Sequence, residues 1–191
     1  MTHKLSRHAS VLLGSVMVVC LIAPAIAQQA TNPDAKVLAD YQSRIDQYMK
    51  LHKRLEKESP PLKETKDPAA IEASQKVMAA KLQAARKGAK QGEIFTPDVQ
   101  RLLRRLMYPE MKGPEAADTK QSMKEDAPKG VPLKVNVQYP DDAPLPTVPP
   151  NLLAALPKLP EDLEYRFIGK HLILRDVHAN LIVDYMPNAL Q

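Results

Sequence analysis

The sequence has few cysteine and few aromatic side chains. It contains one cysteine, no tryptophan and two phenylalanines in 191 residues. The cysteine, Cys20, lies in an N-terminal apolar run, so the chain from residue 28 onward has no thiol. Disulfides, thiolate metal sites and a cysteine nucleophile are therefore excluded there. The scarcity of aromatic residues predicts a small, mainly aliphatic core.

Motifs of hydrolytic and phosphate-transfer enzymes are missing as well. From residue 28 onward none of the serines lies in a glycine elbow: Ser43, Ser59, Ser74 and Ser122. No glycine-rich phosphate loop occurs. The acidic pair Asp141-Asp142 lies in a proline-rich connection, where a general acid and base would lack a dry, rigid setting. We therefore expect a protein that is not an enzyme, with no catalytic residue and no cofactor.

The first 27 residues have the pattern of an export signal. A basic N-terminal end precedes an apolar run from Val11 to Ile22, and small residues follow at Ala25 and Ala27. We predict cleavage between Ala27 and Gln28. The mature protein is then exported, either periplasmic or secreted.

Two alternatives to a cleaved signal are a membrane anchor and a lipoprotein. The apolar run is shorter than the roughly 20 residues that a spanning helix needs, and Pro24 follows it. A lipidated bacterial cysteine usually follows a small residue, whereas Cys20 follows two valines. The pattern therefore favours cleavage over both alternatives.

Basic charge is concentrated in the first half of the remaining chain. Residues 36–112 contain 17 Lys and Arg against 10 Asp and Glu, a net charge of +7, whereas residues 113–191 contain 8 against 11, a net charge of −3. The basic half of the chain can attract an anionic lipid or cell-wall polymer. Export makes nucleic acid a less favoured partner. The candidate polyanion or partner surface consists of Lys76, Lys81, Arg86, Lys87, Lys90, Arg101, Arg104 and Arg105. The alternative is an ordinary solvated helix face.

Three prolines that follow capping residues mark helix starts. Asn32-Pro33, Asp67-Pro68 and Thr96-Pro97 each place a side-chain acceptor at the N-cap and proline at the first helical position. We predict helices over residues 33–58, 68–91 and 97–107. The short connection between the first two predicts an antiparallel hairpin, so residues 33–107 form a basic helical unit.

The first predicted helix carries one apolar seam. Its members recur at spacings of three and four: Leu38, Tyr41, Ile45, Tyr48, His52 and Leu55. Such a seam can pack on the rest of the chain or drive self-association. We interpret His52 as a packed histidine and not a metal ligand, because no second ligand is recognised at a suitable spacing on that face.

The middle of the chain changes composition twice. Residues 108–130 have few large apolar side chains and predict a flexible linker. Apolar and polar residues alternate from Leu133 to Tyr139, which predicts a strand. Residues 140–160 form a proline-rich insert with one or two helical turns over 151–156.

The C-terminal part predicts an antiparallel meander. Two β-rich runs, 165–168 and 171–174, flank the turn Gly169-Lys170, and residues 181–185 form a third strand. With the earlier strand, the β-meander unit covers residues 131–186. The expected fold class is α+β, with an N-terminal helical hairpin, a third helix, a proline-rich crossover and a small C-terminal antiparallel meander.

One string in the meander carries a family resemblance. It reads Tyr165-Arg166-Phe167-x-Gly169-x-x-Leu172-x-Leu174-x-Asp176, followed by Ala179-Asn180-Leu181-Ile182-Val183-Asp184. This string resembles the tail of uncharacterised exported bacterial proteins. It is also distantly similar to the C-terminal hairpin of small periplasmic proteins of the nickel and cobalt homeostasis type. The resemblance implies an exported compartment and a local hairpin fold.

Four possible metal ligands lie close together in the meander sequence. Nitrogen and oxygen donors occur at His171, Asp176, His178 and Asp184, which could form a surface metal site. The alternative is structural, since Asp176 suits a turn and Asp184 can simply face water.

The function expected from the sequence is a non-catalytic interaction or structural module of the cell envelope. Its partner is an unknown envelope protein or a second copy of the chain, met through an exposed strand edge. One alternative is a periplasmic metal-binding or metal-homeostasis accessory protein. The other is a weak binder of polyanions or of an anionic cell-envelope surface. Nucleic acid is not an expected partner.

Overall fold

The computed structural model describes residues 32–61, 64–114, 116–125, 128 and 130–190. Within these ranges the helices are α1 (Pro33–Lys57), α2 (Pro68–Ala85), α3 (Pro97–Met107), α4 (Ala116–Glu125) and α5 (Pro150–Ala155). The strands are β1 (Val137–Gln138), β2 (Leu163–Ile168), β3 (His171–Asp176) and β4 (Leu181–Met186). The fold is α+β, as predicted. The predicted signal segment and its cleavage site lie outside the described residues.

The proline-led helix starts are confirmed. The side chain of Asn32 accepts from the Asp34 N–H at 3.0 Å, and that of Asp67 accepts from the Ala69 N–H at 3.1 Å. Thr96 caps α3 in the same way. None of the helices in the described ranges is long and apolar enough to cross a membrane.

Helix α2 is shorter than predicted. It ends at Ala85, and Arg86 leaves the helical conformation with φ −111°. The Arg86 guanidinium turns inward and donates to the carbonyl oxygen of Val183 and the side-chain oxygen of Asn136, both at 3.1 Å. The basic residue that was expected on a solvated face therefore joins α2 to the sheet.

The four strands form one antiparallel sheet in the order β1-β4-β3-β2. The predicted two-residue hairpin turn is confirmed, and Gly169 supplies the positive φ of 56° that the turn requires. The predicted strand over 133–139 contributes only β1. Asn136 has a φ of 63°, a left-handed conformation that interrupts an extended run.

Both faces of the sheet are covered. One face packs against the helices in a single core cluster that contains side chains from α1, α2, α3 and α5. The other face carries Ile168, Ile173 and Ile182, which pack with Tyr139 and with residues of the segment 131–143. The helical and strand units thus share a core, and the described residues belong to one compact unit.

The α1 seam faces this core. Tyr41, Ile45, Tyr48 and His52 are buried, whereas Leu38 is 42% exposed at the helix start. The chain itself therefore covers the seam, which leaves no free apolar stripe there for self-association.

Residues 108–130 differ from the flexible linker that we predicted. They contain α4, whose Ala116, Thr119 and Met123 are buried. These side chains are three and four residues apart, so they form one narrow stripe on the helix. The stripe is too short and too weakly apolar to be recognised from the sequence.

A β-bulge places two consecutive side chains of β4 on the same side of the sheet. Leu174 pairs with Asp184 and Arg175 pairs with Ile182, so Val183 is the extra residue. Val183 packs in the helix-side core, and the Asp184 carboxylate binds backbone N–H groups of the loop before α3 on the same side. The expectation that Asp184 faces water is wrong, because the bulge breaks the alternation of β4.

We expect Glu164 to control the acid stability of the sheet. Burial alone raises the pKa of Glu164, but hydrogen bonds from Arg166 at 2.5 Å and Arg175 at 2.6 Å outweigh it, so the pKa lies below its ordinary value of 4.5. A carboxyl group whose pKa is lowered by folding stabilises the protein at pH values above its pKa in the unfolded state. This stabilisation is lost as the pH falls through its lower pKa in the folded state.

The test is the pH dependence of the free energy of unfolding. Glu164→Gln should flatten the decrease in stability below about pH 4.5, whereas Glu161→Gln, at an exposed position, should not. If the free energy of unfolding of the Glu164 variant decreased at low pH as steeply as that of the unchanged protein, the assignment would be wrong.

Candidate metal centre

Helix α1 places two possible metal ligands on one face. His52 and Glu56 are four residues apart, so their side chains lie one helical turn from each other. The His52 side chain is fully buried, and that of Glu56 is 49% exposed. The sequence interpretation that His52 has no second ligand at a suitable spacing is therefore wrong, since Glu56 is such a residue.

The third ligand comes from the turn between β3 and β4. His178 lies in that turn, with its Nδ1 atom 3.5 Å from Oε1 of Glu56. The rings of His52 and His178 meet edge to face with centroids 5.9 Å apart. One ligand atom from each of the three residues lies within 4.8 Å of the others. Among the described residues this is the group of three or more donors that can hold a metal ion.

The orientation of His52 is set by a buried carboxylate. Nδ1 of His52 lies 2.6 Å from Oδ2 of Asp176, and both side chains are fully buried. Because a carboxylate accepts, Nδ1 carries the proton and the neutral ring has its lone pair on Nε2. Nε2 is buried and has no hydrogen-bond partner among the residues that the structure describes.

Asp176 is itself held in place by two further donors. The Tyr48 hydroxyl donates to Oδ2 at 2.7 Å, and the Ala179 N–H donates to Oδ1 at 2.8 Å. Burial, together with the neighbouring Asp176 charge, raises the pKa of Tyr48 well above its ordinary value. Tyr48 therefore remains a protonated donor. A carboxylate that orients a histidine in this way is the usual support of a metal ligand.

His178 has an equivalent support from α2. Its Nε2 atom lies 3.3 Å from the hydroxyl oxygen of Ser74. If Nε2–H donates to Ser74, Nδ1 keeps its lone pair on the side of Glu56. Four elements thus position the ligands and their supports, namely α1, α2, β3 and the turn between β3 and β4.

The protonation of His52 is governed by Asp176. Burial alone lowers the pKa of His52, but the hydrogen bond and the charge of Asp176 outweigh burial, and the pKa lies above its ordinary value of 6.5. A cation therefore competes with a proton for Nε2.

The donor set suits a first-row transition cation. Imidazole nitrogen is a ligand for Zn²⁺, Ni²⁺ and Cu²⁺, and a carboxylate oxygen completes many such sites. Three protein ligands leave a position for water or another ligand, unlike the closed four-ligand sites that serve structure alone. The His178 side chain is 26% exposed, so exchange with solvent has a route.

The four donors that the sequence suggested are not brought together. His178 belongs to the group described above, and Asp176 supports that group from behind. His171 instead accepts the Asn188 N–H at Nδ1, and burial lowers its pKa. Asp184 binds the loop before α3. Sequence analysis did not identify His52 and Glu56 as partners of His178, although the spacing of four residues between His52 and Glu56 was visible in the sequence.

Some residues of the predicted basic surface make contacts within the fold. Arg86 is buried against the sheet, stacked over the Tyr48 ring at 5.3 Å, and Arg104 donates to the Pro187 carbonyl at 2.9 Å. Lys81 donates to the carbonyl of Glu58. Pairs with carboxylates occupy Lys76, Arg101 and Arg105. The side chains of Lys76, Arg101 and Arg105 are 61%, 67% and 59% exposed in these pairs, so a polyanion surface there stays a prediction.

Comparison with known proteins adds no family to this description. No protein-family model, no curated protein and no solved structure matches the chain.

Proposed function

We propose that this protein binds a divalent first-row transition cation reversibly, as a non-catalytic metal-binding accessory in an exported compartment. The observation that carries the proposal is the buried Nε2 atom of His52. It has no hydrogen-bond partner in the described part of the chain, and His52 belongs to one group of possible ligands with Glu56 and His178.

An unsatisfied buried nitrogen is costly. Leaving a buried polar group without a partner costs about 1–3 kcal/mol, so such groups are rare and call for an explanation. At Nε2 of His52 a cation would satisfy the lone pair. The Asp176 carboxylate, fixed by Tyr48, keeps that lone pair on Nε2.

Reversible binding fits the uneven exposure of the ligands. His52 is fully buried, while Glu56 and His178 remain accessible to solvent. The neighbouring polar groups Asp176 and Ser74 are engaged in orienting the histidines, which favours binding over acid-base chemistry. Export is inferred from the N-terminal pattern of the sequence alone.

The test is a metal titration of the chelator-treated full-length chain by calorimetry, with Zn²⁺, Ni²⁺ and Co²⁺. We expect one ion per chain, and a Kd that weakens at least about tenfold in His178→Ala and in Glu56→Gln. Zn²⁺ at a hundredfold excess over its Kd should raise the free energy of unfolding by about 2.7 kcal/mol.

His171→Ala is the matched control, because His171 is a histidine of the same sheet outside the group. It should leave the affinity unchanged. The proposal fails if none of the three ions binds, or if His171→Ala and His178→Ala weaken binding equally.

A further inference from the structure

We propose that a groove beside β2 binds an aliphatic carboxylate, a straight hydrocarbon chain that ends in one carboxyl group. The groove lies between side chains of β2 and the proline strap, residues 144–160, which includes α5. This inference goes beyond the proposed metal binding and does not depend on it, since the two sites share no residue.

The groove has the size of a small-molecule site. Its volume is about 610 Å³, within the range of roughly 300–1,000 Å³ that ligand pockets in proteins occupy. Residues 163–166 of β2 and strap residues between 147 and 159 line it. A hydrocarbon chain contacts such a lining through side chains alone, so it needs no hydrogen bonds from the backbone of β2.

The strap gives the groove an accessible apolar surface. It contributes Pro150, Leu153, Ala154 and Leu159 to the lining, and Leu153 is 49% exposed. Pro150 and Ala154 are exposed as well. Removing apolar surface of this kind from water is the main driving force for binding a hydrocarbon chain. The strap therefore supplies the part of the site that selects an aliphatic ligand.

Two hydrogen bonds between β2 and the strap fix the groove in the structure. The Tyr165 hydroxyl donates to the Pro157 carbonyl at 3.0 Å, and Arg166 donates to the Pro146 carbonyl at 3.2 Å. Proline fixes its own φ angle, so Pro150 and Pro157 also stiffen the lining. A groove that is formed before the ligand arrives loses little conformational freedom on binding, which favours affinity.

The charges of the lining favour a single negative charge on the ligand. The lining has two basic residues, Lys158 and Arg166, against one acidic residue, Glu164, a net charge of +1. Glu164 already accepts hydrogen bonds from Arg166 and from Arg175, which lies outside the lining. Lys158 is exposed and has no hydrogen bond or ion pair within the described ranges. A carboxylate at Lys158 is therefore electrostatically complementary to the groove.

The experiment is a calorimetric titration of the full-length chain with decanoate below its micelle-forming concentration. Octanoate, which is shorter by two methylene groups, should bind about tenfold more weakly, because each buried methylene group contributes to binding. Decyltrimethylammonium has a chain of similar length with the opposite charge. It should bind at least about tenfold more weakly than decanoate, because Lys158 repels it.

Two substitutions separate the apolar and the charged contributions. Leu153→Asp should weaken decanoate binding about tenfold, and Leu145→Asp is the matched control, because Leu145 is a strap residue that is 39% exposed and outside the lining. Lys158→Met should weaken decanoate binding about fivefold without weakening that of decyltrimethylammonium. Its matched control is Lys134→Met, at an exposed lysine outside the lining, which should leave both affinities unchanged.

His178→Ala should leave decanoate binding unchanged, so that failure of this inference and failure of the metal proposal are distinguishable. Absence of binding at about 1 mM decanoate, or equal binding of decyltrimethylammonium, would overturn the inference. Binding to phosphatidylglycerol vesicles that Leu153→Asp abolishes, without binding of decanoate, would assign the groove to a membrane surface and also overturn it. Concentration-dependent dimerisation with the same sensitivity, again without decanoate binding, would assign it to a second copy of the chain with the same result.

Discussion

Replacing Asp184 by alanine should lower the free energy of unfolding by about 3 kcal/mol or more. The Asp184 carboxylate is fully buried and accepts four backbone hydrogen bonds. Oδ1 accepts from Gly92 and Tyr185 at 2.9 and 2.8 Å, and Oδ2 accepts from Ile94 and Phe95, both at 2.8 Å. Alanine would leave these N–H groups without their acceptor, and each unsatisfied buried donor costs about 1–3 kcal/mol.

The effect should extend beyond the hydrogen bonds, because the loop positions core side chains. Phe95 follows Ile94 in this loop and stacks with Tyr41 of α1 at a centroid distance of 6.1 Å. Urea unfolding of Asp184→Ala checks the prediction. Asp142→Ala, at an exposed turn position, should change stability by no more than about 0.5 kcal/mol. Equal losses in the two variants would show that the loop contacts contribute little.

Asp176→Ala should be nearly as destabilising, with a loss of about 3 kcal/mol. It removes the acceptor of three buried donors, which belong to Tyr48, His52 and Ala179. Asp176→Asn is the informative second variant, because an amide keeps the shape but loses the charge. We expect it to weaken Zn²⁺ binding by about 10–100-fold, since it no longer fixes the lone pair of His52 on Nε2.

Tyr48→Phe provides the control for this network. It removes one hydrogen bond to Asp176 and should cost about 1 kcal/mol. The double variant with Asp176→Asn should lose less than the sum of the single losses, because the two residues share a bond. Additive losses, or unchanged Zn²⁺ affinity in Asp176→Asn, would contradict the role of Asp176.

Local signals in the sequence predicted much of the fold. Asn32, Asp67 and Thr96 each cap a helix that begins at the following proline, and these starts depend on a few adjacent residues. The turn at Gly169 likewise needs only its own positive φ and the β-rich runs beside it. Features determined within a few residues of the chain are those that sequence patterns can identify.

The candidate metal site depends on contacts that no local pattern contains. His52 and His178 meet only after α1 has packed against the sheet, and nothing near either residue indicates the other. The bulge at Val183 moves Asp184 to the helix side, against the alternation that the sequence suggests. Helix α4 was missed because its buried stripe is short and only weakly apolar.

The buried polar contacts between α1 and the sheet have a consequence for folding kinetics. Tyr41 bonds to Tyr165 across 124 residues of sequence, and Tyr48 bonds to Asp176 across 128. Contacts of such high sequence separation slow folding, because a long loop must close before they form. Because α1 precedes the sheet in the chain, it leaves the ribosome before the sheet does, and its seam cannot be buried until nearly the whole chain has followed. Assembly of the native core is therefore a late event for every molecule that is made.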